Sequence, residues 1–123
     1  MSSNHQAFSY DTHFDLCNSL MDMNTESAYR TIANRCFLSA AMIVYETIRP
    51  HIGELPTDHR FYGELENGLL RATHDSDMLE SLNSLRKRRL DADYKPKKRF
   101  SKEKAWECLE DARMLVRDIR QTL

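Results

Sequence analysis

The sequence predicts an all-α protein, an antiparallel bundle of four to five helices forming one domain over residues 1–123. Only three glycines and three prolines interrupt 123 residues, and apolar residues recur at spacings of three and four almost throughout. No stretch alternates apolar and polar residues as a half-buried strand would. A chain of this length buries about two thirds of the surface its unfolded form exposes, so it needs neither a metal nor a disulfide to hold it.

The first helix is expected over about Ser9–Met23, with Tyr10, Phe14, Cys17, Leu20 and Met21 on one face. Asn24 or Thr25 can cap the next helix, and Glu26 suits its positive end. That helix, about 26–49, carries Tyr29, Ile32, Ala33, Cys36, Phe37, Ala40, Ile43, Val44 and Ile48, with a polar stripe at Arg35, Ser39 and Glu46. Such breadth requires cover on most sides. Arg49-Pro50 should end it, and Gly53 and Pro56 keep the next segment irregular. Thr57 or Asp58 can then cap a helix over about 59–73, where Gly63 and Gly68 each cost up to about 1 kcal/mol against alanine.

The fourth helix starts near Asp75, Ser76 or Asp77, where Asp77 and Glu80 have capping-box spacing, and ends before Pro96. Its apolar face is Met78, Leu79, Leu82 and Leu85. At about 100° per residue, Arg86, Arg89 and Asp93 continue that face, while Lys87, Arg88 and Asp91 point the other way. Charges at core positions cost several kcal/mol each unless they pair, reach solvent or hold a ligand. After the basic linker Lys97-Lys98-Arg99, Ser101 caps a last helix whose positions Ala105, Cys108, Leu109, Ala112, Leu115, Val116, Ile119 and Leu123 follow the helical template.

Charge is unevenly distributed. Residues 1–85 carry 5 Lys+Arg against 12 Asp+Glu, net −7; residues 86–104 carry 10 against 3, net +7; residues 105–123 carry 3 against 4, net −1. A positive field confined to one short segment points to an anionic partner such as nucleic acid, nucleotide or an acidic protein. Arg86, Arg89 and Lys95 are the candidate phosphate-binding residues, because the guanidinium fork matches phosphate oxygens. The competing reading is structural, an Arg89–Asp93 pair at i, i+4 with Arg86 capping nearby carbonyls.

Other chemistries lack support. The five histidines form no His-x-x-x-His pair and no Cys-x-x-Cys motif accompanies them, so neither a metal nor a cofactor is expected. No phosphate-cradling glycine loop and no Gly-x-Ser-x-Gly elbow is present. Cys17, Cys36 and Cys108 are odd in number and widely spaced, which suits a reducing, cytoplasmic compartment. Residues 1–6 carry no basic-then-apolar targeting pattern, and no run approaches a membrane span.

Three stretches together resemble the HEPN superfamily of small helical domains, in particular an uncharacterised bacterial branch with an Arg-x-x-Ala-Asp-Tyr signature. They are Arg89-Leu90-Asp91-Ala92-Asp93-Tyr94, the helix segment Tyr29-Arg30-Thr31-Ile32-Ala33-Asn34-Arg35-Cys36-Phe37, and Asp58-His59-Arg60, spread over most of residues 10–123. The resemblance implies a dimeric helical bundle, often paired with a nucleotidyltransferase as toxin and antitoxin, some members being metal-independent ribonucleases. Those active members place a histidine after an arginine with four to six residues between the two. Here Asp91, Ala92 and Asp93 stand at those places after Arg86, and the last histidine is His74. Without imidazole no ready general base or acid serves the ribose 2′-hydroxyl, and Asp93 could substitute only if burial favoured its protonated form against the adjacent arginines. The expectation is therefore a non-catalytic module binding RNA or nucleotide phosphate. The alternatives are a ribonuclease with a degenerate site, Arg86 or Arg89 acting with Asp93 and Tyr94 across a dimer interface, or a protein-interaction adaptor.

Overall fold

The computed structural model describes residues 8–123, and the N-terminal segment read above for targeting lies outside them. The described chain is all helical: α1 (Asp11–Leu20), a 3₁₀ turn (Met21–Met23), α2 (Glu26–Ile52), α3 (Phe61–Thr73), α4 (Ser76–Tyr94) and α5 (Lys102–Thr122). None of these helices is long and apolar enough to cross a membrane.

Side-chain contacts set the directions. His13 meets Ser39 near one end of the α1–α2 pair and Asn24 meets Tyr29 at the other, so these helices are antiparallel. Asn34 meets Asp93, while Arg86 reaches Tyr62, which packs on Phe37; α4 therefore runs antiparallel to α2. Arg120–Asp11 and Lys102–Asn24 set α5 antiparallel to α1. α1, α2, α4 and α5 make the bundle, and α3 lies across α2 and α4. At 27 residues α2 is the longest element, about 40 Å at 1.5 Å per residue, and it touches all four other helices.

Burial follows the expected faces on α1, α2 and α5, where Phe14, Cys17, Met21, Ile32, Phe37, Val44, Leu109 and Ile119 enter one core. The three cysteines, far apart in sequence, are all buried free thiols. Cys36 is pushed above the usual thiol range by its hydrogen bond with Cys17 and by burial, and burial does the same to Cys108. These thiols fill core space.

Local expectations are corrected in four places. α2 does not stop at Arg49-Pro50; Pro50 sits within its last turn, where only the one N–H bond to the Glu46 carbonyl is lost, and Gly53 (φ +84°) ends it, its N–H donating to Arg49 O at 2.8 Å. Asp77 and Glu80 form no capping box; Asp75 caps α4 instead, accepting from the N–H groups of Asp77 and Met78 at 2.9 and 3.2 Å. Ser39 is no part of a polar stripe but fully buried, satisfied by His13 Nδ1 at 2.8 Å. α3 begins at Phe61, after Asp58 has closed a turn on Arg60 N–H at 2.9 Å. Thr25 and Ser101 cap α2 and α5 through the N–H groups of Ala28 and Lys104. Gly68 has a packing role beyond its propensity cost: an added Cβ would lie 2.5 Å from the tip of Ile52, where α3 approaches the end of α2.

Candidate functional site

The C-terminal turn of α4 leaves carbonyls without helical donors, and Pro96 prevents the helix from continuing to satisfy them. Arg30, one turn into α2, reaches this turn and the linker after it, where Asp91 O also accepts the Lys95 N–H at 3.1 Å. Its guanidinium donates to Ala92 O at 2.8 Å, to Lys95 O at 3.3 Å, to Asp91 O and Pro96 O at 3.4 Å, and to Lys98 O. Glu26, four residues earlier, holds the guanidinium from behind at 2.9 Å. The buried Phe100 ring lies beneath it, 6.0 Å from the ring centroid. A cation at a helix C-terminus also opposes the partial negative charge there. One turn on, Asn34 donates to Asp93 Oδ2 at 2.9 Å. The segment Tyr29–Phe37 and the stretch Arg89–Tyr94 therefore come together, whereas Asp58 and Arg60 pair with each other at the start of α3.

The candidate residues divide into two groups. Arg86 and Arg89 face the α2 and α3 side. Arg86 is bound to Glu66 at 2.9 Å and stacks over Tyr62, 5.5 Å from its centroid; no carbonyl cap forms. Arg89 Nε lies 2.9 Å from Asp93 Oδ2, but its N–H is not aligned with the contact, which is a charge contact rather than a formed hydrogen bond. The Arg89 guanidinium sits 5.9 Å from the centroid of Tyr94, itself 68 % exposed. Its terminal nitrogens donate to no group among the described residues. Lys95 does not join this group. It turns with Lys98 onto Asp91, at 3.1 and 2.8 Å, beside a groove of about 450 Å³ that Lys87 and Leu90 also line. Lys98, then Lys95, hold the Asp91 carboxyl below the usual carboxylate range.

Arg88 points away from the α2 face as its position predicts, yet it does not reach open solvent. It packs onto α5, paired with Asp111 at 2.8 Å, donating to Ser84 at 3.2 Å and touching Cys108 Sγ at 4.0 Å. α4 is covered on two flanks, so a position away from the α2 face still meets a helix. Two acids from outside the segment, Glu66 and Asp111, thereby meet part of the net +7, which already counts Asp91 and Asp93. Lys87, Lys97 and Arg99 are exposed with no acidic partner among the described residues.

Chemically this arrangement can hold an anion on the terminal nitrogens of Arg89, beside the exposed Tyr94. Among the described residues no histidine bonds to the cluster: His13 is held by Ser39, and His51, His59 and His74 are exposed elsewhere. Among the described residues no three His, Cys, Asp or Glu side chains are grouped to hold a metal ion. Sequence reasoning missed Arg30, Asn34, Tyr62 and Glu66, each the contact partner of a recognised residue. The available signal was Glu26-x-x-x-Arg30-x-x-x-Asn34, a polar row on the most apolar helix. Comparison with protein-family models, with curated proteins and with solved structures gives no significant match.

Proposed function

We propose that this chain is a HEPN-like module that binds RNA or nucleotide phosphate without cleaving it, as one half of a toxin–antitoxin or defence pair with a nucleotidyltransferase-type partner. The observation that carries the reading is the Arg89 fork. A guanidinium positioned by Asp93 and Asn34, beside an exposed tyrosine and with its terminal nitrogens unbonded to any group among the described residues, is prepared to receive a phosphate. Arg86 supplies a second guanidinium on the same face, and Lys95 adds to the field from the other side of α4. That no imidazole among the described residues joins the cluster supports binding over catalysis. The three free buried thiols suit a reducing cytoplasm, and the resemblance supplies the expectation of a homodimer with the arginines beside its twofold axis.

The test is binding of single-stranded RNA at several salt concentrations. Affinity should fall with a log–log slope of about −0.7 per phosphate contact, and Arg89→Ala should weaken it at least about tenfold, while Lys87→Ala leaves it within about twofold of wild type. RNA incubated with the protein in chelator should remain intact, and light scattering should give twice the chain mass. Binding that ignores both salt and Arg89→Ala overturns the phosphate reading. Cleavage in chelator that Asp93→Asn or Tyr94→Phe abolishes in a folded protein establishes the degenerate ribonuclease instead.

A further inference from the structure

Between α2, the loop that follows it and the start of α3 lies a groove of about 320 Å³ lined by Met42, Tyr45, Phe61 and Tyr62, with Thr57 and Asp58 at its rim. This is at the small end of ligand-pocket sizes. Its aromatic walls are fixed before any ligand arrives. Phe61 packs edge-on against both Tyr45 and Tyr62, at 5.4 and 5.2 Å between centroids. Tyr62 is backed by Phe37 at 5.2 Å. The Tyr45 hydroxyl accepts the Leu55 N–H at 3.2 Å, which ties the loop to the ring. All three rings are partly exposed.

The charges around the groove select its occupant. Arg49 lies over Tyr45 at 5.9 Å, and Arg86, one of whose nitrogens is bound to Glu66 at 2.9 Å, lies over Tyr62 at 5.5 Å, so each of these two walls carries a guanidinium. The rim carboxylate of Asp58 is occupied by Arg60, while the Thr57 hydroxyl has no hydrogen-bond partner among the described residues. A cationic guest would meet two arginines. A planar ring attached to an anion would instead stack on fixed aromatic faces, find a hydroxyl at its edge, and leave its charge near guanidinium groups. Through Tyr62 and Arg86 the groove adjoins the arginine face of α4.

We propose that the Tyr45–Phe61–Tyr62 groove is a nucleobase subsite, taking the base of a ribonucleotide whose phosphate is held by Arg86 and Arg89. The inference rests on the phosphate-binding reading above and adds a base-dependent component to it. The base can belong to a free nucleotide or to an RNA strand, which share the stacking chemistry.

The experiment measures affinities of the full chain for adenosine 5′-monophosphate, ribose 5-phosphate, adenosine and hexa-adenylate. The monophosphate should bind about tenfold or more tighter than ribose 5-phosphate, as one stacked base contributes. Phe61→Leu, which removes a wall, and Met42→Trp, which fills the groove from its partly exposed edge, should each bring that ratio close to one while ribose 5-phosphate affinity stays within about twofold. Unchanged thermal unfolding identifies the variants that remain folded. Equal affinity of wild type for the monophosphate and ribose 5-phosphate, or a ratio that survives both folded variants, overturns the subsite and leaves the phosphate reading intact. Adenosine binding that both variants abolish, without any ribose 5-phosphate binding, supports the subsite and overturns the phosphate reading. Failure of all four probes to bind overturns both. Hexa-adenylate binding far more tightly than the monophosphate supports the subsite with RNA as its source; equal affinities support it with a free nucleotide.

Discussion

Replacing Arg30 with methionine keeps the aliphatic stem and removes only the guanidinium, so the change isolates the clamp on the end of α4. The Arg30 side chain is 17 % exposed, and hydrogen bonds from a charged donor contribute about 1.5–3 kcal/mol each when shielded. Of its five carbonyl contacts only those to Ala92 and Lys98 are short; the others lie at 3.3–3.4 Å. The Glu26 pair adds about 0.3–0.5 kcal/mol, because Glu26 is 46 % exposed and solvent screens it. Offsetting these terms, the carbonyls released on the exposed linker, those of Lys95, Pro96 and Lys98, regain water. The expected loss is about 3 kcal/mol, a large share of the roughly 5–15 kcal/mol that stabilises a domain. Urea unfolding followed by circular dichroism should show the midpoint falling with an unchanged m-value. Arg30→Lys should recover under half of the loss, since a single ammonium keeps the charge but cannot span carbonyls on both sides of Pro96. A loss below about 1 kcal/mol for Arg30→Met would refute the view that this arginine organises the α4–α5 connection.

Gly63 and Gly68 should respond differently to alanine. Gly63 has no atom within 4 Å of an added Cβ, so Gly63→Ala should stabilise by about 0.5–1 kcal/mol in the same assay; Gly68→Ala must push the Ile52 tip aside and should gain less. At the α1–α5 contact, Arg120 holds the Asp11 carboxyl below the usual carboxylate range. Because the folded pKa is depressed, this pair stabilises at pH values above the unfolded carboxyl pKa of about 3.9 and the benefit is lost as pH falls through the folded pKa. Both side chains are about half exposed, so wild type and Asp11→Asn should differ by less than about 1 kcal/mol at pH 7 and converge on acidification.

What the sequence determines by itself is what depends on neighbours three and four residues away. The helical period, the caps at Thr25 and Ser101, the apolar faces of α1, α2 and α5 and the stop at Pro96 are properties of one segment, readable without knowing what lies opposite. The row Arg86, Arg89 and Asp93 was legible for the same reason, as an interruption of an apolar face. Only the tertiary structure decides which flanks meet. Arg88 turns to Asp111 because α5 covers a second side of α4. Ser39 is buried because α1 brings His13 to it. Three cysteines scattered through the chain share one core because α1, α2 and α5 converge there. Arg30 is the fullest case: its carbonyl partners lie 61 to 68 residues away, and no local pattern encodes a contact across that interval. Pairing charges over such distances is set by helix packing, and helix packing also decides which guanidinium is already satisfied and which, at Arg89, still has donors to offer.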